Sequence, residues 1–323
     1  MTTASPTTSP TASGHVTIVF TSDWGVSTGV GHAGRTHSTI ERSNNKPVVR
    51  GTVITGVLRE QAMLAAKALD GPDENSPKKW TSFVLWLFGQ DPNSEPGSTP
   101  HPRHVLFSDA TPASSIPVHD TVSLSIDPDT GTARDQFLRF TERAAAGVLT
   151  GTFTLIDEAG SEISDQARIK AAHFLLGVAG LMVRGVGSGR SGGDGECTVV
   201  VSDKDYVKTD LQDAKAADAL ERILANQDND SPTYSSADVK IVADHLRSLT
   251  RDSLQKIPGL TESLAKNSPQ DIAVPGPRQG GTQHQVGTVD GSAAQHSGGH
   301  HLILDLTLNS PIVSYEVPFS NEI

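Results

Sequence analysis

The chain has 323 residues and a formal net charge of −11. That length allows one large domain or two smaller ones, and that acidity excludes a protein that holds nucleic acid by bulk electrostatics alone. Thirty glycines and 19 prolines against 5% aromatic residues imply many turns and long loops, and the single cysteine, Cys197, excludes an intramolecular disulfide.

One cysteine suits a reducing cytoplasm, the expected location. No run reaches the roughly 18 apolar residues of a membrane span, so no membrane partner is expected. Residues 1–13, rich in Ser, Thr and Pro, read as a disordered lead-in without the features of a signal peptide.

Residues 15–23, HVTIVFTSD, place Val16, Ile18 and Phe20 on one face of a half-buried strand. A glycine-rich loop follows and ends at an Asn-Asn-Lys-Pro turn. Residues 48–69 begin as a β-branched run around Gly51 and continue into a helix over 57–69, with Thr55 as its expected N-cap. A second helix covers 79–89 and closes at Gly89. A Pro/Ser-rich loop covers 90–104. The stretch VSLSIDPDTGTARDQFLRF is a strand, a turn at Asp129-Thr130-Gly131 and a returning strand.

Residues 147–157 form another strand, 165–183 a helix, and the run CTVVV after a glycine-rich loop a buried strand. The order β-α-β-β-α-β predicts an α+β, ferredoxin-like (RRM-like) domain over 14–202, with helices on one face of an antiparallel sheet. Beyond it, residues 203–282 read as an acidic helical insertion and linker, with helices over 211–225 and 237–249. Residues 283–323 form a His/Gly-rich loop and a strand over 302–313, which either opens a second module or returns to the first.

Charge is uneven along the chain. Residues 14–70 hold six Lys/Arg against four acids, whereas 203–252 hold 11 acids against seven bases.

Several glycine and histidine patterns carry less than their spelling suggests. Gly187, Gly189 and Gly192 match a dinucleotide fingerprint, and Gly189 to Gly193 match a nucleophile elbow. Both motifs need a strand before and a helix after, whereas the order here is helix, glycines, strand. A small-molecule enzyme built on this loop is accordingly disfavoured. His284, His296, His300 and His301 read as a mobile polar loop rather than a metal site, and Asp127, Asp129 and Asp135 as turn residues lacking a calcium loop's closing Glu. Asp23, His32 and His37 flank the first glycine-rich loop and are the candidate general bases. Arg50, Arg59 and Arg190 each adjoin glycine-exposed backbone, a chemistry suited to phosphate beside a helix N-terminus.

Four segments, in order, resemble the RAMP superfamily, whose members build CRISPR effector complexes. KPVVRGTVITGVLRE resembles its PyIPGSSLKGALR segment, with Pro47, Gly51, Gly56, Leu58 and Arg59 in register. VLFSDA, SIDPDTGTARDQFLRFTERAAAGVLTGTFTL and GSGRSGGDGE resemble three further family motifs. The resemblance is closest to the guide-RNA-binding backbone subunits of type III effectors. It implies an added β-hairpin thumb, guide RNA, target RNA and other effector subunits as partners, and a role in antiviral defence. It further implies guide contacts through Arg42, Arg50, Gly51, Thr52, Gly56, Arg59, Gly187, Gly189 and Arg190.

Target-cleaving members carry an Asp in the first loop where this chain has His37. The alternative expectation is therefore an endoribonuclease with His37 as general base, aided by Asp23 or His32, and Mg²⁺ as cofactor only in that case.

Overall fold

The computed structural model describes residues 10–31, 36–71, 78–89, 101–134, 138–208, 211–226 and 234–255, all within one compact unit, Met1–Gly276. Residues 1–9 of the lead-in expected over 1–13, His32, the four-histidine loop and the strand over 302–313 lie outside these residues, while the end of that lead-in is ordered, with Ala12 buried and Ser13 opening the first strand.

Strand β1 (Ser13–Phe20) leads through a long loop, carrying the short hairpin β2 (Arg42–Ser43) and β3 (Lys46–Pro47), into helix α1 (Gly51–Asp70). Helix α2 (Lys79–Phe88) follows. Its first turn is capped from outside, since Asp70 accepts the amides of Trp80 and Thr81 at 2.8 and 2.9 Å. Then come β4 (Val105–Phe107), β5 (Thr111–Pro112), the hairpin β6 (Val118–Ser123) and β7 (Arg139–Ala144), and β8 (Gly147–Leu155). Helix α3 (Gln166–Met182), N-capped by Asp165, leads by the glycine-rich loop to β9 (Cys197–Ser202). Helices α4 (Ala214–Ala225) and α5 (Ser236–Gln255) complete the described chain.

The central sheet runs β4-β8-β1-β9, every neighbouring pair antiparallel, with β5 pairing β8 beyond β4. Two β-α-β units supply the strands, with β1 and β8 side by side in the middle, so the α+β ferredoxin-like plan read from the sequence is the observed one. Hairpin β6–β7 stands apart as its own two-stranded ribbon, inserted before β8.

The sheet departs from expectation on its second face. Val16, Ile18 and Phe20 point into a core shared with α1, α2 and α3, as the alternation predicted. The intervening Val19 is also fully buried, and with Val148 and Val200 it packs under α4 and α5. Helices therefore lie on both faces, and the helices of the segment read as an acidic insertion form the lid of a second core. The cause is visible in α4, where Ala216, Ala219, Leu220 and Ile223 form one apolar stripe. An open face of valines would otherwise meet water, and burying each stabilises the fold by about 1.5–3 kcal/mol.

Candidate nucleic-acid interface

Helix α1 starts at Gly51, with Arg50 in extended backbone as its N-cap residue. The expected cap, Thr55, lies inside the helix and its hydroxyl donates back to the Gly51 carbonyl at 2.7 Å. Capping comes from across the fold. Asp109 Oδ1 accepts the Gly51 amide at 2.8 Å, while its Oδ2 accepts from Arg50 Nη1 at 2.8 Å. The Gly51 amide and then the Arg50 guanidinium hold the Asp109 carboxyl below the usual carboxylate range. Arg50 is held further by Glu41 Oε2, at 3.1 Å from Nε and 3.0 Å from Nη2.

The two glycines of this segment serve different ends. A side chain at Gly51 would overlap the Phe107 carbonyl, so strand β4 demands glycine there. Nothing lies within 4 Å of a side chain placed at Gly56. Thr52, Gly56 and Arg59 fall at helical spacing on one face, and Thr52 and Gly56 are exposed. Arg59 has no hydrogen bond or ion pair among the described residues. The expectation of free amides at this helix start is corrected in one respect: a carboxylate already occupies the Gly51 amide.

The first loop is laid along the β6–β7 hairpin. His37 donates its amide to Phe140 at 2.8 Å, and Phe140 returns its own amide to His37 Nδ1 at 3.0 Å. Ser38 bridges Thr141 in parallel, and Glu142, only 7% exposed, accepts from the Ile40 amide at 3.2 Å and Arg42 Nη1 at 2.8 Å. With Nδ1 accepting, the neutral His37 ring carries its proton on Nε2, so its outward edge is a donor rather than a base. Asp23 Oδ2 stands 3.0 Å from His119 Nε2 on β6. Beyond this anchored base the hairpin exposes Val122, Leu124, Ile126 and Leu138.

The glycine-rich loop closes over the same end of the sheet, where Phe20 pairs Gly147 and Cys197. Gly187 takes a left-handed φ of 99° and lies against Gly25, whose carbonyl accepts the Ser188 amide at 3.0 Å. The Gly195 amide reaches the Asp23 carbonyl at 2.6 Å, and Arg143 Nε on β7 reaches Asp194 Oδ2 at 3.0 Å. Between these ties, Gly189 to Gly193 protrude as a short 3-10 turn, with Arg190 exposed and unpaired among the described residues.

The structure thus brings the predicted RNA-contacting residues to one end of the sheet and divides them into three groups. Arg42 and Arg50 are committed to Glu142, Glu41 and Asp109. Thr52, Gly56, Arg59, Gly189 and Arg190 present free surface, and Gly51 and Gly187 shape the backbone. Sequence reasoning missed Asp109, Glu142, Arg143 and Asp194 as the frame of the site. The signal for them was present, because each lies within one of the four resembling segments, and Asp109 and the Arg143–Asp194 pair join one segment to another while Glu142 holds the first loop. Among the described residues no group of three or more His, Cys, Asp or Glu is placed to hold a metal ion, and no helix is long and apolar enough to cross a membrane.

No curated protein matches the chain. Among solved structures it is similar to a chain of the type III-B Cmr-beta complex bound to cognate target RNA, seen by cryo-EM, with 9% identity and a TM-score of 0.44 over 60% of this chain and 98% of that one. It is also similar to a chain of the apo state of type III-B Cmr-beta, with 10% identity and a TM-score of 0.44 over 58% and 96%. The family model described as RAMPs, RAMP superfamily, matches residues 17–198. That span is more than half of the sequence and runs from within β1 to the start of β9, taking in the interface at the end of the sheet: the chain belongs to the RAMP superfamily.

Proposed function

We propose that the protein is a guide-RNA-binding subunit of a type III-like CRISPR effector complex, holding the guide's sugar-phosphate chain for target RNA recognition in antiviral defence. The observation that carries this reading is the pairing of two bare backbone surfaces, each with an unpaired arginine, at one end of the sheet. One is the Thr52, Gly56, Arg59 face of α1, and the other the Gly189–Gly193 turn with Arg190. Glycine backbone and isolated arginines contact phosphate and sugar without reading bases, so sequence recognition is left to guide pairing. The exposed apolar tip of the β6–β7 hairpin matches the thumb that the family resemblance implies. Other effector subunits and target RNA are the partners, and the cytoplasm is the location.

The same geometry favours binding over cleavage at this subunit. His37 acts as a strand anchor for the thumb, since its Nδ1 is spent on the Phe140 amide.

The test is a titration of labelled single-stranded RNA against the full chain, alone and with partner subunits, across a salt series. Arg59→Glu and Arg190→Glu are expected to weaken binding about tenfold each and to lower the salt slope by about one phosphate contact. Negligible, salt-independent binding by the unmodified chain in every condition removes the reading.

A further inference from the structure

Beside the interface, a cavity of about 410 Å³ opens between the first turns of α5 and the start of β9. Its volume lies within the about 300–1,000 Å³ range of small-ligand sites. Lys240 and Arg247 of α5 supply its cations, Asp244 and Glu196 its carboxylates, and Ser236 and Thr21 its hydroxyls. Arg247 donates through Nη2 to Thr198 Oγ1 at 2.9 Å, yet its Nε is buried without an acceptor. An unsatisfied buried guanidinium nitrogen costs free energy that a bound acceptor would recover.

The mixed lining narrows the ligand. A simple anion would face Glu196 and Asp244, and a simple cation would face Lys240 and Arg247. A nucleotide answers both, since its phosphate pairs with the cations while its ribose hydroxyls and base amino groups donate to the carboxylates. Position identifies its source. Glu196 ends the glycine-rich loop and its carbonyl accepts the Thr21 amide at 2.8 Å, so the cavity opens beside the loop whose Gly189–Gly193 turn is assigned to RNA.

We propose that this cavity holds one nucleotide of the RNA strand that crosses the glycine-rich loop, a subsite that rests on the guide-RNA reading and extends it round the end of β9.

The experiment uses the full chain and labelled single-stranded RNA. Lys240→Glu, a change on an exposed side chain, is expected to weaken binding about tenfold and to reduce the salt slope by about one contact. Asp244→Ala is expected to weaken binding about threefold, although the loss of a negative charge tightens any binding that is only long-range attraction. Crosslinking with 4-thiouridine RNA, read by peptide mapping, is expected to label residues 236–247 and reports even where a variant fails to fold. Unchanged affinity in Lys240→Glu, tighter binding in Asp244→Ala, or crosslinks confined to residues 185–195 overturns the subsite. If Arg190→Glu weakens binding while both cavity variants do not, the subsite fails and the guide-RNA reading stands. Loss of effect in all three removes both.

Discussion

Asp109 reaches across the fold to the Gly51 amide at 2.8 Å, so the helix that faces the candidate interface is capped by a residue 58 positions away in sequence. Removing this carboxylate uncaps α1 and leaves Arg50 with Glu41 as its remaining carboxylate partner. Asp109→Ala is expected to lower stability by about 1–2 kcal/mol in urea unfolding, the usual cost of a lost N-cap. Asp109→Asn keeps an acceptor for Gly51 and is expected to lose less. Equal losses in the two variants would show that the charge, not the cap, is what matters.

Gly51 and Gly56 are expected to respond in opposite directions to the same substitution. Gly51→Ala drives a methyl group into the Phe107 carbonyl and is expected to cost about 1–3 kcal/mol, in the range of overpacked cores. Gly56→Ala meets open space inside a helix and is expected to stabilise by about 0.5–1 kcal/mol. Gly56→Glu is the variant for RNA binding, since it covers the bare face with a negative side chain. It is expected to weaken binding while leaving the melting temperature near that of the unmodified chain.

The lid over the second face can be tested at Leu246, 2% exposed on α5. Leu246→Ala is expected to cost about 2–5 kcal/mol in denaturant unfolding. A cost below 1 kcal/mol would indicate that α4 and α5 are attached loosely and the valine face is only intermittently covered.

The lid also carries the clearest acid-sensitive contact. Arg222, then the Ser235 amide, hold the Asp238 carboxyl down at about 2. A carboxyl with a folded value below its unfolded value, near 3.9, contributes stability that is present above that unfolded value. The contribution is lost as pH falls from about 4 through about 2. Melting temperatures over this window are expected to drop more steeply for the unmodified chain than for Asp238→Asn, with parallel curves as the contrary result.

His37 separates binding from cleavage. Guide-loaded complex incubated with complementary RNA and Mg²⁺ is expected to behave identically with His37→Ala and with the unmodified chain in any strand scission. A selective loss of product in His37→Ala, with RNA affinity retained, would return the ring to the role of base.

Local signals fixed several elements correctly in the sequence. The alternation of Val16, Ile18 and Phe20 gave β1 its core face, and Gly89 marks the end of α2 as expected. The start of α1 was misread because Thr52, Val53, Ile54 and Thr55 favour strands, and the capping carboxylate that converts them to helix is remote in sequence. Burial of Val19 under α5 was equally hidden, since one strand cannot report which elements cover its other side. The arginines were found, but not their division into paired and free. That division depends on Glu41, Asp109 and Glu142, whose partners only folding selects.

Closure of the valine face has a consequence for how any nucleic acid could sit. An uncovered four-stranded sheet offers a flat platform on which bases can stack, and here α4 and α5 occupy that platform. What remains is the rim, where strand ends, turns and a helix start meet the solvent. A polymer held there crosses the molecule edgewise, over loops whose grip depends on backbone shape. Substitutions inside the sheet should then alter stability and leave the path of the strand unchanged, and substitutions at the rim should do the reverse.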